Sequence, residues 1–296
     1  MKFGIRGNIY NKELPGVALD LVKKLISKKV DFLLDRNLAK LIHTTYNYDN
    51  SKIQQGDNKK LLAESDIIIS IGGDGTFLTT AKLVGDRDIP IIGVNIGKLG
   101  FLAETSVKQI AKFISDILEN KYKIEERTVL QAACIGIKQK PIYGLNEIVV
   151  HQSNAVRTIE IQAYYNDQLV ISNLADGLII STPTGSTGYS MSAGGPVVNP
   201  LSDVIILAPM CPHTLTARPM ILPDNGIINI KVESRVPIGV TADGNSKFLL
   251  KSPAVVEIKK AHYKIKLAKR LNSNYFEVLN KKLLWGEDVR KNKKLI

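Results

Sequence analysis

The chain has 296 residues, 44% hydrophobic and 23% charged, with 22 glycines and 12 prolines, which excludes a collagen-like or broadly disordered protein because there is ample apolar material to bury. Two cysteines, Cys134 and Cys211, cannot build a disulfide framework or a cysteine-based zinc site, and they fit a reducing compartment. An excess of 40 Lys+Arg over 28 Asp+Glu leaves a net charge of +12, a field open to anionic partners of many kinds.

Much of that excess lies in scattered pairs such as Lys23-Lys24, Lys28-Lys29 and Lys59-Lys60. No arginine-rich helix, aromatic RNP motif or zinc finger accompanies them, so solvated surface lysine is expected, with neither nucleic acid nor membrane as a partner. No apolar run is long enough to span a bilayer, and the opening MKFGIRGNIY lacks the apolar centre of a signal peptide; a cytoplasmic location is the expectation.

In chain order, Phe3-Ile5 is a short apolar run ending at Gly7. Pro15 to Lys29 follows the helical period, with Val17, Leu21, Val22, Leu25 and Ile26 on one side. Asp31-Leu34 reads as a strand, and Asp66-Ile71 as a β-branched run suited to a strand buried on both faces. Thr76 to Val84 then reads as a helix and Ile91-Val94 as another buried strand. This alternation predicts an α/β N-terminal domain with a parallel sheet, over about residues 1–120.

Beyond it the texture changes. Tyr122-Lys138, Ile142-His151 and Val156-Tyr165 are rich in Val, Ile and Tyr. Shorter runs follow at Leu178-Thr182, Val204-Leu207, Ile227-Glu233, Ile238-Ala242 and Val255-Lys259, separated by turn signals such as Asp224-Asn225-Gly226 and Asp243-Gly244-Asn245. Their spacing predicts a β-rich, sandwich-like second domain over about residues 121–269. The last thirty or so residues carry Phe276-Leu279 and a lysine-rich tail without a clear pattern.

The run Ile67-Ile71 leads directly into Gly72-Gly73-Asp74-Gly75-Thr76. A glycine-rich turn between a parallel strand and a helix is where α/β proteins hold phosphates: backbone N–H groups approach the oxygens, and the helix N-terminus adds partial positive charge. Asp74 is the unexpected member. A carboxylate there would repel a phosphate, but it makes sense as the acceptor of a proton from an attacking hydroxyl, or as an aid in holding Mg²⁺. The plainer alternative is a tight turn with Asp74 capping the next helix. The turn does not extend to GxGxxG, and Gly93-Lys98 is one spacer short of a P-loop.

Between Ser181 and Ser192, seven of twelve residues are Ser or Thr. So many hydroxyls need partners when buried, and either a polar ligand or a capped turn entering a short helix would supply them. Tyr189 offers a flat face for an aromatic base. Asn146-Glu147 interrupts an apolar run. Asn can donate to and accept from adenine, and a carboxylate can accept from ribose hydroxyls, although a polar pair inside a strand is more often an edge or a turn. His43, His151, His213 and His262 show no metal-ligand spacing.

Taken together, Gly72-Gly-Asp-Gly-Thr76, Gly97-Lys-Leu-Gly-Phe-Leu102, Leu145-Asn-Glu-Ile148, Asp176-Gly-Leu-Ile-Ile-Ser-Thr-Pro-Thr-Gly-Ser-Thr187 and Pro212-His-Thr-Leu-Thr-Ala-Arg-Pro219 resemble the bacterial NAD kinases, in that family's order. Lipid kinases and phosphofructokinases carry loops like GGDGT; its combination with NE and TPTGST carries the resemblance. It implies transfer of the ATP γ-phosphate, with Mg²⁺ or another divalent cation, to the 2′-hydroxyl of the adenosine ribose of NAD. It also implies a C-terminal tail, about 270–296, that packs back on the first domain, and a homo-oligomer, either dimer or tetramer.

By the same resemblance Asp74 is the proton acceptor, and Gly72, Gly73, Gly75 and Thr76 line the phosphates. Asn146 and Glu147 hold the adenosine, and Asp176 lies near the nicotinamide end. Thr187, Gly188, Tyr189 and Ser192 surround the adenine, and Thr184, Ser190 and Met191 of the same segment join them as binding residues. Arg157 and Asn245 are carried over by position. Leu174 stands where relatives often have Arg, and Gly188 where Ala is usual. Two other readings compete. A lipid kinase of the diacylglycerol type would need an apolar acceptor cleft, and a dinucleotide-binding regulator would keep the pocket without the chemistry.

Overall fold

The structure is a computed structural model that describes residues 1–284 apart from 50, 52 and 154–157; the side chains of 246 and 247 also lie outside the description. It contains two units, Met1–Glu125 with Lys266–Ile296, and Glu126–Ile265. Among the described residues no helix is long and apolar enough to cross a membrane.

The first unit opens with strands and helices in alternation: β1 (Lys2–Gly7), α1 (Leu14–Ser27), β2 (Asp31–Asp35), α2 (Arg36–Tyr46), β3 (Gln55–Gly56), α3 (Asn58–Glu64), β4 (Ile67–Gly72), α4 (Asp74–Val84) and β5 (Ile91–Asn95). Short β6 (Thr105–Ser106) and helix α5 (Ile110–Leu118) follow. The strands pair in parallel in the order β3-β2-β1-β4-β5, with Phe3 opposite Ile67 and Ile68 opposite Ile91. All six residues of β4 are buried, as a strand covered on both faces requires. The core joins Phe3, Ile5, Ile69 and Ile71 to Leu14, Val22 and Leu25 of α1 and to Phe113 of α5. Helices α2 and α3, absent from the periodicity reading, start at side-chain caps: Asp35 accepts from the N–H groups of Asn37 and Leu38, both at 3.0 Å, and Asp57 from Lys60 at 3.0 Å.

The second unit is built of β7 (Tyr122–Cys134, entering the unit at Glu126), β8 (Ile142–Gly144), β9 (Glu147–Gln152), β10 (Ile159–Tyr165), β11 (Gln168–Ala175) and β12 (Gly177–Ser181). A 3₁₀ turn at Thr184–Thr187 and the single-turn helix α6 (Tyr189–Ser192) precede β13 (Val204–Met210), β14 (Met220–Pro223), β15 (Ile228–Glu233), β16 (Ile238–Ala242), β17 (Ser246–Leu250) and β18 (Ala254–Arg270). β18 belongs to this unit up to Ile265 and to the first unit from Lys266; α7 (Tyr275–Leu283) follows in the first unit. Six antiparallel strands run β14-β13-β12-β9-β16-β17, and a second antiparallel set runs β11-β10-β15-β18. Ile148, Val150, Leu178 and Ile180 meet Ile161, Ile230 and Val256 in one apolar core. Along β15 burial alternates, with Ile228, Ile230 and Val232 inside and Lys231 and Glu233 outside, as expected of a sheet with one wet face.

Two expectations change. The apolar stretch from Ile142 to His151 is two strands, with Leu145 and Asn146 between them, so the Asn-Glu pair marks a break and not the interior of one strand. The run Val255-Lys259 is part of a 17-residue strand. Lysines along it hide its length, and one of them, Lys269, is buried and paired with Glu104 at 3.1 Å and Glu125 at 3.2 Å.

Candidate active site

The glycine-rich turn is anchored by the buried end of β4. Gly72 has to lack a side chain, because a Cβ there would overlap Thr76 Oγ1 and lie 2.7 Å from Thr76 Cβ. Gly73 is the N-cap of α4 in an extended conformation, and Asp74 is the first helical residue. Gly73 and Gly75 are exposed, with nothing within 4 Å of where a Cβ would stand. The first turn of α4 therefore presents bare backbone at Gly73 and Gly75; the Thr76 N–H bonds to the Gly73 carbonyl at 3.0 Å, and the N–H groups that precede it have no acceptor within the helix.

Asp74 does not cap its helix. Its carboxylate crosses to the segment after Gly97: Oδ1 accepts from the N–H groups of Leu102 and Ala103, both at 3.0 Å, and Oδ2 from Phe101 at 2.9 Å. Gly100 N–H, bonded to the Ala103 carbonyl at 3.1 Å, and Asn95 Nδ2, on the same oxygen at 3.1 Å, hold that segment in place. A fourth donor comes from α7. Lys282 Nζ lies 3.4 Å from Asp74 Oδ2 and 4.4 Å from the centroid of the Phe101 ring. A carboxylate has about four acceptor sites, and here all are engaged. Of the four donors the lysine is the longest and sits in a half-exposed pair, with side chains 30% and 29% exposed, so it is the most weakly held of the four.

In the second unit, the turn between β8 and β9 is tied down on both sides. The Asp243 carboxylate accepts from the N–H groups of Leu145 (2.8 Å), Asn146 (2.8 Å) and Glu147 (3.1 Å). On the other side Thr182 Oγ1 donates to the Leu145 carbonyl at 2.6 Å, and Thr182 N–H to that of Asn146 at 2.8 Å. With their backbone so occupied, the side chains remain: Asn146 Oδ1 and Glu147 Oε2 are buried without a hydrogen-bond partner. Such acceptors are costly unless a donor arrives. Burial, and then the negative charge of Asp243, push the Glu147 carboxyl up to about 7, against the stabilising N–H of Tyr189.

The hydroxyl-rich segment divides into two groups. Ser181, Thr182 and Ser186 serve the local backbone: Ser186 Oγ donates to the Pro183 carbonyl at 2.7 Å, and Thr182 Oγ1 accepts from Gly185 N–H at 3.0 Å. Thr184 Oγ1 and Ser190 Oγ are buried and unpartnered. Thr187, Gly188 and Met191 are half-buried, and Ser192 is exposed. A Cβ at Gly188 would lie 3.4 Å from Glu147 Oε2 and 3.5 Å from Asn146 Nδ2, so this glycine faces the pair directly. A cavity of about 420 Å³ brings together Glu147, Asp176, Tyr189, Met210, Thr241 and Gly244. Asp176 also borders a larger, charged cavity of about 990 Å³, with Glu160, Leu174, His213, Glu233 and Arg235. The smaller cavity is the better candidate for a nucleoside, because Glu147, whose Oε2 has no partner, and Tyr189 both line it. Asn245 is exposed with its side-chain amide bonded to the Asp243 carbonyl at 3.0 Å, and Arg157 lies outside the described residues.

The profile of the ATP-NAD kinase N-terminal domain matches residues 3–122, and that of the ATP-NAD kinase C-terminal domain residues 145–270. The chain belongs to the ATP-NAD kinase family. An NAD kinase of Bacteroides fragilis is 37% identical over 98% of this chain and 100% of its own length. One of Christiangramia forsetii is 36% identical, over 98% and 100%. Crystal structures share the fold: yeast NADH kinase complexed with NADH, with a TM-score of 0.88 at 23% identity over 97% of this chain and 89% of that one, and an NAD kinase from Archaeoglobus fulgidus in complex with ATP, with a TM-score of 0.75 at 24% identity over 96% and 99%. ATP-dependent phosphorylation of NAD is accordingly the activity of this chain.

Two residues that hold candidate side chains carry no signal in the sequence. In the second unit Asp243 looks like part of a turn, and only its bonds to the N–H groups of 145–147 distinguish it. In the first unit Lys282 lies in a tail where lysine is common, and only its approach to Asp74 distinguishes it. Phe101, inside the 97–102 block, contributes its backbone N–H as well as its ring.

Proposed function

We propose that the protein transfers the γ-phosphate of ATP to the 2′-hydroxyl of the adenosine ribose of NAD, with Asp74 taking the hydroxyl proton. The observation that carries this reading is the pair of buried, unpartnered acceptors, Asn146 Oδ1 and Glu147 Oε2. They suit a ligand that brings neighbouring N–H and O–H donors, as an adenosine does, and they suit a lipid poorly. In the transfer a bond forms between the 2′-oxygen and the γ-phosphorus as the bond to the β,γ-bridging oxygen breaks, so ADP leaves and the proton passes to Asp74. The free N–H groups at the start of α4, beside the open Gly73 and Gly75, favour phosphate oxygens there. Phosphoryl transfer draws mostly on positioning and charge neutralisation, and an aspartate held by three backbone N–H groups is already positioned.

Among the described residues no three His, Cys, Asp or Glu side chains gather as a metal cage. In this reading Mg²⁺ would come with the ATP phosphates and would supply charge neutralisation beside Asp74. A homo-oligomer in the cytoplasm completes the proposal. The test is direct: purified protein is incubated with Mg-ATP and NAD, then with each omitted, and NADP is quantified. NADP should form only in the complete mixture, and Asp74→Asn should lower turnover by about 10²–10⁴-fold while NAD still binds. Absence of NADP would discard the activity, and undiminished turnover in the variant would remove Asp74 from its role.

A further inference from the structure

We propose that Asp243 is a positioning residue for the nucleoside: through the backbone of Leu145, Asn146 and Glu147 it sets where the Asn146 and Glu147 side chains stand. The inference rests on the reading above, in which that pair receives the adenosine. The segment it acts on joins two strands and belongs to neither at Leu145 and Asn146. Its three consecutive N–H groups would be without ladder partners, and all three converge on one carboxylate, at 2.8, 2.8 and 3.1 Å. Asp243 also donates its own N–H to the Glu147 carbonyl at 3.1 Å. To do so it adopts the left-handed conformation, at φ 47°, immediately after β16, and Gly244 follows at φ 68° and borders the cavity. Both conformations are ones that Asp and Gly tolerate better than other residues.

The arrangement repeats that of Asp74 over Phe101, Leu102 and Ala103, but with a different use. Asp243 bonds the backbone of the residues whose side chains face the ligand, so it acts through them. A neutral side chain would serve some of the three N–H groups, since an asparagine keeps a single acceptor oxygen. The charge has a second consequence, because it disfavours ionisation of Glu147 in a cavity whose other titratable groups are His151, Asp176 and Tyr189. Removing it relaxes the turn and at the same time eases the ionisation of Glu147, and a purely architectural residue elsewhere would not couple the two.

The experiment measures kcat and the KM for NAD from pH 5.5 to 9 in the wild type, Asp243→Asn and Asp243→Glu, with unfolding midpoints to establish that each is folded. In the wild type the KM should rise below about pH 7 as Glu147 gains its proton. Asp243→Asn should raise the KM for NAD at high pH by about tenfold, change kcat by less than about threefold, and move that inflection to lower pH. Asp243→Glu keeps the charge but shifts the carboxylate by one methylene, so it should raise the KM and leave the inflection near its wild-type position. If Asp243→Asn does not fold, the Glu variant carries the test alone. An unchanged KM, or a loss confined to kcat, overturns the proposal. If wild type and variants form NADP alike, only the role of Asp243 is lost; if the wild type forms none, the reading of the site falls, and this proposal with it.

Discussion

Glu147, buried with Oε2 unpartnered, costs the free protein stability, and in the proposed function that cost serves the binding of NAD. Replacing it with glutamine should stabilise the unliganded chain and weaken NAD binding. The carboxyl is 8% exposed, and burial with the Asp243 charge lifts it from an ordinary value of 4.5 to about 7. Between those two pH values the folded protein holds a proton that the unfolded chain has released. Unfolding therefore releases protons, and stability falls as pH rises through that window and stays lower above it. The gap, at about 1.4 kcal/mol per pH unit, amounts to about 3 kcal/mol.

Glutamine is neutral throughout and keeps an oxygen for the Tyr189 N–H. The advantage of Glu147→Gln over the wild type should thus be near zero at about pH 4.5 and grow to about 3 kcal/mol above pH 7. Urea unfolding of both ligand-free proteins by circular dichroism, from pH 4.5 to 8.5, gives the difference curve, in which the other titrating groups cancel. At pH 8 the same variant should bind NAD more weakly by isothermal titration calorimetry. A stability difference that is flat with pH, or that favours the wild type as pH rises, would mean that Glu147 is not held protonated by its burial.

Two glycine substitutions probe the two turns separately. In Gly100→Ala the new Cβ would overlap Asp74 Oδ1 and lie 2.8 Å from Asp74 Cγ; the displaced carboxylate should lower kcat by about 10²-fold, with the KM for NAD within about twofold by steady-state kinetics, and an unchanged kcat would show that the placement of Asp74 is not critical. In Gly185→Ala the Cβ would overlap the Asn146 carbonyl oxygen and lie 2.5 Å from its carbon and 2.7 Å from its Cα. Backbone cannot swing aside, so this variant should lose about 1–3 kcal/mol of stability and raise the KM for NAD; normal values of both, by unfolding and kinetics, would count against a rigid Asn146 turn.

Legibility in the sequence followed the range of the interactions. The run Ile67-Ile-Ile-Ser-Ile-Gly72 announces a strand buried on both faces, and its six buried residues agree, because such burial favours apolar residues nearly throughout; the one polar side chain, Ser70, is satisfied by Thr80 at 2.8 Å. Helices α2 and α3 escaped because they bury few residues, Leu38, Ala39 and Ile42 in one and Leu61 in the other, and are marked mainly by the caps Asp35 and Asp57. The hydroxyls of 181–192 were visible as a group, but their division was not: Ser186 serves Pro183 and Val198, whereas Ser190 is left without a partner.

Local pattern was enough to give β1, α1, β2, β4, α4 and β5 of the first unit in their order and to place the glycine-rich turn between β4 and α4, since periodicity and backbone sterics act over a few residues. Tertiary structure alone decided that Asp74 bonds the N–H groups of 101–103, that Lys282 reaches it from α7, and that Asp243 breaks an apolar run into two strands and orients Asn146 and Glu147. Each of these is a hydrogen-bond acceptor meeting donors from distant sequence, and which donors remain unpaired after folding is a property of the packed chain and not of any local pattern.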